Sequence, residues 1–530
     1  MNSPRHRDDT KDGSMDKIAP STTLLICPLT AQTVEAMRSQ MIQAAGEGAQ
    51  AVECRLDYIA GEGGLLPTEE ELDYLLGETP CPVIVTCRPT SQGGQYRGEE
   101  APRLATLKQA GAFESVLAVD IELDTHPMFR PNCPADRILS HHDFQRCPRN
   151  LDALVDQLET SPQEINKIVC TAAGPEDALR VLDEARRCGK PTIALAMGEA
   201  GVASRVLARK VGAWGTFAAL ESGQESAPGQ PTLKQMRELY RWEQIDETTE
   251  VYGVIGCPIA HSMSPAIHNA AFAAAGVNGV YLPLRVEPGA EHFARLLDAI
   301  RKRPWLHWRG LSVTLPHKEA ALAYVGANNC DELSKRIGAI NTIRITPEGT
   351  LQGLNTDYGG ALDALCNAMS MPRQGLAHRN VGVLGAGGVS RALVAALVHY
   401  QANVTVYNRT AERAEALATE FGCRAGALGQ AETGNDEILI NGTSVGMHPD
   451  VDAAPIERLP ESVRVVFDTV YNPVHTRLLR LANAAGKQTV NGLAMFVNQA
   501  VAQFNFWMGH RDISPPVETM RDVVHRAMGL

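Results

Sequence analysis

Nothing in this chain approaches the run of about 18 apolar residues that a membrane-spanning helix needs, so no membrane partner is expected. The first 16 residues, MNSPRHRDDTKDGSMD, lack the apolar core of a signal peptide and the acid-poor composition of a transit peptide. Residues 1–20 are therefore read as a disordered tail, with Met15 an alternative start. Cysteine is scarce: 12 in 530 residues, with no C-x-x-C pair. That argues against a zinc or dithiol centre and predicts free thiols in a reducing cytoplasm, with no metal. Positive charge is short as well. With 61 acids against 49 bases the formal charge is −12, which argues against nucleic acid or an anionic membrane as the main partner. Any carboxylate or phosphate site must rest on a few placed cations.

What is present is a globular composition, 44% hydrophobic and 21% charged, in a length that suggests about three domains. Eight short apolar runs recur from Thr22 to Leu220: TLLICPL, AVECRLDY, PVIVTCRP, SVLAVDIEL, DRILSHHDF, INKIVCTAA, PTIALAMG and WGTFAAL. Segments of helical composition separate most of them. Near-continuously apolar strands alternating with helices predict a parallel sheet covered on both faces, and eight such units predict an α/β fold, a closed (β/α)8 TIM barrel. Its chemistry belongs at the carboxyl ends of the strands. His142 and Lys167 are read as strand-end residues there, among further charged residues that end neighbouring runs.

A new pattern starts at VYGVIGCPIAHSMSPAIHNAAF after a polar stretch. Further on, VGVLGAGGVSRALVAALV reads as strand, glycine turn and helix. Gly385, Ala386, Gly387, Gly388 and Val389 form a turn whose backbone can approach a pyrophosphate at a helix amino terminus, although Ser390 replaces the usual third glycine. The next strand ends in Asn408, Arg409 and Thr410 where an NAD site usually has an acid. A cation there suits a 2′-phosphate, so NADP(H) is the expected cofactor.

These motifs carry two resemblances. Residues 21–235 resemble type I 3-dehydroquinate dehydratases through VECRLDY, TCRP, SHHDF, INKIV, MGEAGVASR and SAPGQ. Residues 251–530 resemble shikimate dehydrogenases through GCPIAHSMSPAIHNAAF, VTLPHK, GAINT, NTD, GAGGVSRA, NRT, NGTSVGM and VYNP. Their fusion in this order is similar to the bifunctional enzymes of the shikimate pathway. The resemblance implies a barrel over 21–235, a linker over 236–250, an α/β substrate domain over 251–370 and a Rossmann domain over 371–490. Helices over 491–530 would return to the substrate domain, and ligand would lie in a cleft that closes.

For the barrel, the resemblance implies that Lys167 forms a Schiff base with 3-dehydroquinate. An iminium is a better electron sink than a ketone, and a lysine must be neutral to attack, a form that burial and neighbouring cations favour. It implies His142 as general acid and base, followed by Asp143, with Glu53 orienting the pair. Arg205 matches the carboxylate binder, Arg55 and Arg88 match contacts to hydroxyls and carboxylate, and Ser226 and Gln230 belong to a loop closing over substrate. One departure is Gln92, where the family commonly has Glu in R-x-x-x-E-G-G; an amide cannot transfer a proton.

For the second half, the resemblance implies Lys318 and Asp357 as the catalytic pair, an ammonium to stabilise and protonate the developing alkoxide and a carboxylate to orient it. Ser262 and Ser264 match the substrate's carboxylate contacts, Thr314, Asn341 and Gln499 its ring hydroxyl contacts, and Tyr471 a further contact. Ser312 stands where many single-function members have Asn, a substitution similar to those of plant-like fused enzymes. The implied activity dehydrates 3-dehydroquinate to 3-dehydroshikimate and reduces that to shikimate. Alternatives are one working half, a dehydrogenase preferring quinate, or a metabolite sensor without chemistry, which would be expected to lose Lys167 or the Lys318–Asp357 pair. Oligomeric state leaves no mark in the sequence.

Overall fold

The computed structural model describes residues 23–61, 63–125 and 134–530. The expected tail over 1–20, with Met15, lies outside the described residues. Each of the eight apolar runs contains one strand: β1 Leu24–Leu29, β2 Ala51–Arg55, β3 Val83–Thr86, β4 Val116–Glu122, β5 Asp136–Asp143, β6 Ile165–Thr171, β7 Thr192–Met197 and β8 Gly215–Phe217. They form one parallel sheet in the order β7-β6-β5-β4-β3-β2-β1-β8. The ends nearly meet, because Trp214 N donates to Thr192 O at 2.9 Å. The α/β barrel expected from the sequence is therefore present, though closed by less than a full ladder.

Alternation along each strand separates two cores. Leu24, Ile26, Ala51, Ile84, Ala118, Ile138, Ile165 and Ile193 fill the barrel interior. Their neighbours Leu25, Cys27, Val52, Val83 and Val119 pack outward against the helices.

The segment 236–250 is not loose chain. Met236, Tyr240, Trp242 and Ile245 are all buried, and a strand begins at Glu250. That strand, β9 Glu250–Gly256, is followed by β10 Gly279–Arg285, β11 Trp308–Val313, β12 Thr342–Ile345 and β13 Leu351–Leu354. The sheet order is β10-β9-β11-β12-β13, parallel around β9 and antiparallel from β11 to β13. The third sheet holds β14 Asn380–Leu384, β15 Asn403–Asn408, β16 Arg424–Ala427, β17 Ile438–Asn441, β18 Val465–Asp468 and β19 Gln488–Val490. All six are parallel, in the order β16-β15-β14-β17-β18-β19, which is the doubly wound order of dinucleotide-binding folds.

The helix Gly492–Met508 leaves this last sheet and packs on the second one, where Phe504 and Trp507 join Tyr252, Phe272 and Tyr281 in a buried cluster. It also lies against the helix Thr356–Ala368. A Cβ on Gly360 would sit 2.8 Å from Gln499 N, so a larger residue there would push the two helices apart. At the seam between barrel and second sheet, the Lys210 ammonium donates to Glu247 O at 2.6 Å and Thr249 O at 2.8 Å. His307 Nδ1 lies 3.3 Å from the same nitrogen. Arg303 pairs with Asp183 across the seam at 2.5 Å.

Candidate active sites

Lys167 is the third residue of β6, not its last, which corrects the strand-end reading. Period-two alternation turns it into the barrel beside Ile165 and Val169. There its ammonium meets Asp120 Oδ2 at 2.7 Å and Glu53 Oε1 at 3.1 Å, and lies 4.6 Å from the centre of the Phe217 ring. The expectation of cationic neighbours is thus also corrected: the groups touching Nζ are carboxylates.

Asp120 was not singled out from the sequence. Burial pushes this carboxyl up, but Arg88 and Lys167 outweigh that and hold it well below the usual carboxylate range. Arg88 Nη2 pairs with Asp120 Oδ1 at 2.8 Å, and Arg88 Nη1 pairs with Glu122 Oε1 at 2.7 Å. The same nitrogen donates to Ser140 Oγ at 2.8 Å. Glu53 accepts from Thr86 Oγ1 at 2.8 Å. A guanidinium just past β3, a lysine on β6 and three carboxylates on β2 and β4 therefore brace one another in a buried interior, where each charge depends on its partners.

His142, on β5, stands beside Val169 in register and lines the same cavity, of about 60 Å³. Burial together with Arg88 and Lys167 holds its imidazole well below the ordinary histidine range, so it is neutral. Its Nδ1 is buried without a partner among the described residues. The ring stacks on Phe144 with centroids 5.8 Å apart. Phe144 in turn covers Gly93, where a Cβ would meet its ring at 2.3 Å. Asp143, next along β5, turns instead to cap the following loop, accepting from Gln145 N at 2.9 Å and Arg146 N at 3.0 Å.

The arginines differ in their freedom. Arg55 is held by both oxygens of Asp57, at 2.8 and 2.9 Å, and Arg88 by the carboxylates above. Arg205, on the short helix Val202–Val206 after β7, is only 2% exposed and has no carboxylate partner among the described residues. Burial alone brings its guanidinium down to about 10, and its Nε has no hydrogen-bond partner. A buried, unpaired cation facing a cavity is a receptor for an anion. Ser226 and Gln230 close the rim: Gln230 Oε1 accepts from Ser226 N at 3.0 Å, and Gly198 N donates to Pro228 O at 2.9 Å. Gln92 is at the same rim, its Nε2 donating to Asp124 Oδ2 at 3.0 Å.

The second cavity, of about 270 Å³, is lined by all eight residues expected there: Ser262, Ser264, Thr314, Lys318, Asn341, Asp357, Tyr471 and Gln499. Lys318, which opens the helix Lys318–Val325, meets Asp357 Oδ2 at 2.6 Å. Asn341 fixes the other carboxylate oxygen. Its Oδ1 accepts from Thr356 N at 2.8 Å and Thr342 Oγ1 at 2.8 Å, so its amide must face Asp357 Oδ1, at 2.8 Å. The Asn355 side chain caps the helix that carries Asp357, accepting from Asp357 N at 3.1 Å. Tyr471 stacks on Phe496 with centroids 4.9 Å apart.

In the third sheet, Gly385 has φ +103, and a Cβ there would meet Thr443 at 2.6 Å. Gly387 and Gly388 open onto free space at the start of the helix Gly388–His399, as a pyrophosphate requires. Ser390 fits where a third glycine is usual because Gly442 makes room; its Oγ donates to Gly442 O at 3.2 Å. Ala386 and Val389 complete the turn. At the end of β15, Asn408 Nδ2 donates to Thr410 O at 2.8 Å, while Arg409 is exposed. The chain's residues fit a phosphorylated dinucleotide.

Four family models match in tandem. They are type I 3-dehydroquinase over residues 25–247, the shikimate dehydrogenase substrate binding domain over 254–343, shikimate/quinate 5-dehydrogenase over 368–468, and the shikimate 5′-dehydrogenase C-terminal domain over 492–525. The chloroplastic bifunctional 3-dehydroquinate dehydratase/shikimate dehydrogenase of Arabidopsis thaliana is 37% identical over 519 residues, 94% of this chain and 84% of that protein. This chain belongs to the bifunctional 3-dehydroquinate dehydratase/shikimate dehydrogenase family. A shikimate dehydrogenase (NADP(+)) of Methanosarcina mazei is 40% identical over 290 residues, covering 53% of this chain and 99% of that one. A Thermus thermophilus shikimate 5-dehydrogenase, solved in complex with NADP(H) and shikimate, is 37% identical over 53% of this chain and all of that one, with a TM-score of 0.46.

Gln92 and Ser312, which depart from residues common among relatives of each half, have visible surroundings. Gln92 is tied to a carboxylate, Asp124, instead of carrying one. Ser312 accepts from the Tyr281 hydroxyl at 2.7 Å and donates to Gln503 Oε1 at 3.0 Å, so a shorter side chain is spanned by two neighbours. Sequence reasoning passed over Asp120, Glu122, Phe144 and Gln503. For the first two a signal existed: acids two apart in an apolar strand must point into the same interior.

Proposed function

We propose that the barrel dehydrates 3-dehydroquinate through an imine on Lys167 and that the second half reduces the resulting 3-dehydroshikimate to shikimate with NADPH. The observation that carries the first step is the cavity holding Lys167, a neutral His142 and an unpaired Arg205 together. Arg205 takes the substrate carboxylate. Lys167 sheds a proton to its surroundings, and its nitrogen adds to the ketone carbon, whose oxygen leaves as water when the imine forms. Asp120, kept ionised by Arg88, stays beside the resulting cation. His142 removes the proton next to the iminium carbon, the electron pair expels the neighbouring hydroxyl, and His142 returns the proton to it as water departs. Hydrolysis of the imine frees Lys167, so the net change is loss of one water.

In the second cavity NADPH, when bound, supplies the hydride. Ser262 and Ser264 hold the carboxylate, and Thr314, Asn341, Gln499 and Tyr471 hold the ring. Lys318 Nζ holds a proton for the carbonyl oxygen, kept in place by Asp357. Arg409 is the group for the 2′-phosphate, supported by its exposure at the end of β15 and by the NADP(+) dehydrogenase of Methanosarcina mazei. No helix of the described residues is long and apolar enough to cross a membrane. We place the protein in the cytoplasm, a reading supported by its free thiols; the Arabidopsis relative is chloroplastic.

Borohydride added with 3-dehydroshikimate tests the barrel reading. A reduced adduct on the peptide carrying Lys167 is expected; an adduct on another residue, or none in active protein, overturns the assignment.

A further inference from the structure

The floor of the dehydrogenase cavity carries polar groups outside the expected set. Gln503 lies one turn beyond Gln499 on the helix Gly492–Met508 and lines the same cavity while 4% exposed. Its Oε1 accepts from Ser312 Oγ at 3.0 Å and from His268 Nε2 at 3.2 Å. Ser312 Oγ accepts from the Tyr281 hydroxyl at 2.7 Å, and Tyr281 also interacts with Ser264. The donors run one way, so the carbonyl oxygen of Gln503 is fully occupied. No described residue takes the hydrogens of its amide.

His268 explains why this order is stable. It is fully buried among the rings of Tyr281, Trp507 and Phe272, with centroids 4.7, 5.0 and 6.4 Å away. Burial brings its imidazole down to about 4, so at neutral pH it carries a single proton. Its Nδ1 is buried without a partner among the described residues, so that proton belongs on Nε2, facing Gln503 Oε1. A flipped amide would set N–H against N–H at His268 and turn an oxygen toward an anionic substrate.

We propose that His268 and Tyr281 are positioning residues that hold the Gln503 amide with its NH2 toward the cavity, where it donates to an oxygen of the bound hydroxylated ring acid. This rests on the reading of the cavity as the shikimate site. His268 acts only through Gln503 and touches neither substrate nor cofactor.

The test is oxidation of shikimate with NADP(+) by the full chain. His268→Phe keeps an aromatic ring in the cage and deletes the donor. KM for shikimate should rise about tenfold, with kcat within about threefold and KM for NADP(+) unchanged. Dehydratase activity, in a separate domain, reports that the chain is folded. In a Gln503→Ala background the same change should add less than about twofold, because its route to the substrate is gone. His268→Gln, which restores a donor, should recover part of the loss. An unchanged KM in His268→Phe, or an undiminished effect in the Gln503→Ala background, overturns the proposal. Should His268→Phe not fold, Gln503→Glu decides: a carboxylate facing the substrate's own should raise KM at least about tenfold, and an unchanged KM overturns it. Wild-type protein inactive on shikimate would instead overturn the reading of the cavity, an outcome that needs no variant.

Discussion

Arg205 should be a residue whose loss stabilises the free protein while disabling it. The structure buries its guanidinium at 2% exposure without a carboxylate partner among the described residues, bringing it from its ordinary value down to about 10. At about 1.4 kcal/mol per pH unit, that gap corresponds to about 3 kcal/mol of unfavourable free energy in the ligand-free fold. The sign is fixed by linkage. The unfolded chain binds this proton more tightly, so the cost is complete at neutral pH and is relieved only as pH rises beyond about 10 toward the ordinary guanidinium range. Arg205→Met keeps the aliphatic stem packed and removes the charge. It should raise the stability of the barrel's unfolding transition by about 1–3 kcal/mol in denaturant titrations at pH 7. The substrate carboxylate would lose its partner, so kcat/KM for 3-dehydroquinate should fall by at least about 30-fold, equivalent to about 2 kcal/mol. Saturating ligand should then stabilise wild type far more than the variant. A variant less stable than wild type that still uses 3-dehydroquinate normally would refute the reasoning, because it would mean the guanidinium has a partner in the fold and none in the substrate.

Two further outcomes follow from single groups. NADP(H) should exceed NAD(H) in kcat/KM by at least about tenfold, and Arg409→Ala should erode that preference mainly through KM; equal use of both cofactors by wild type would show that Arg409 does not reach the phosphate. Gln92→Glu should change dehydratase kcat by less than about tenfold, since Lys167, His142 and Arg205 already surround the cavity, and a much larger gain would show that the natural site is impaired.

The barrel was legible because apolar runs of strand length, separated by helical composition, leave few alternatives, and β1 to β8 each fall inside one run. The doubly wound sheet was legible from its glycine turn. Positions within strands were harder. Lys167 looked like a strand end because a polar pair, Asn166 and Lys167, interrupts its run, yet β6 continues to Thr171 and the lysine is interior. The carboxylates that touch it were harder to place: Glu53, expected only through the family resemblance, lies 114 residues away in sequence and Asp120 47, and a single sequence does not show which strands adjoin. The same holds for His268 and Gln503, 235 residues apart, and for Lys210, whose three acceptors belong to the segment after the barrel and to the second sheet's domain. The eight residues lining the second cavity were reachable because their motifs are short and contiguous, even though they converge from six separate stretches of chain.

The central claim, two independent sites in one chain working in sequence, is tested most directly by giving the protein 3-dehydroquinate and NADPH and following both cofactor and product. Wild type should form one shikimate for each NADPH oxidised. Lys167→Ala should stop that reaction from 3-dehydroquinate yet leave it intact from 3-dehydroshikimate, while Lys318→Ala should accumulate 3-dehydroshikimate with NADPH untouched. A folded single variant that silences both activities, or a wild type unable to carry out either step, would contradict the account.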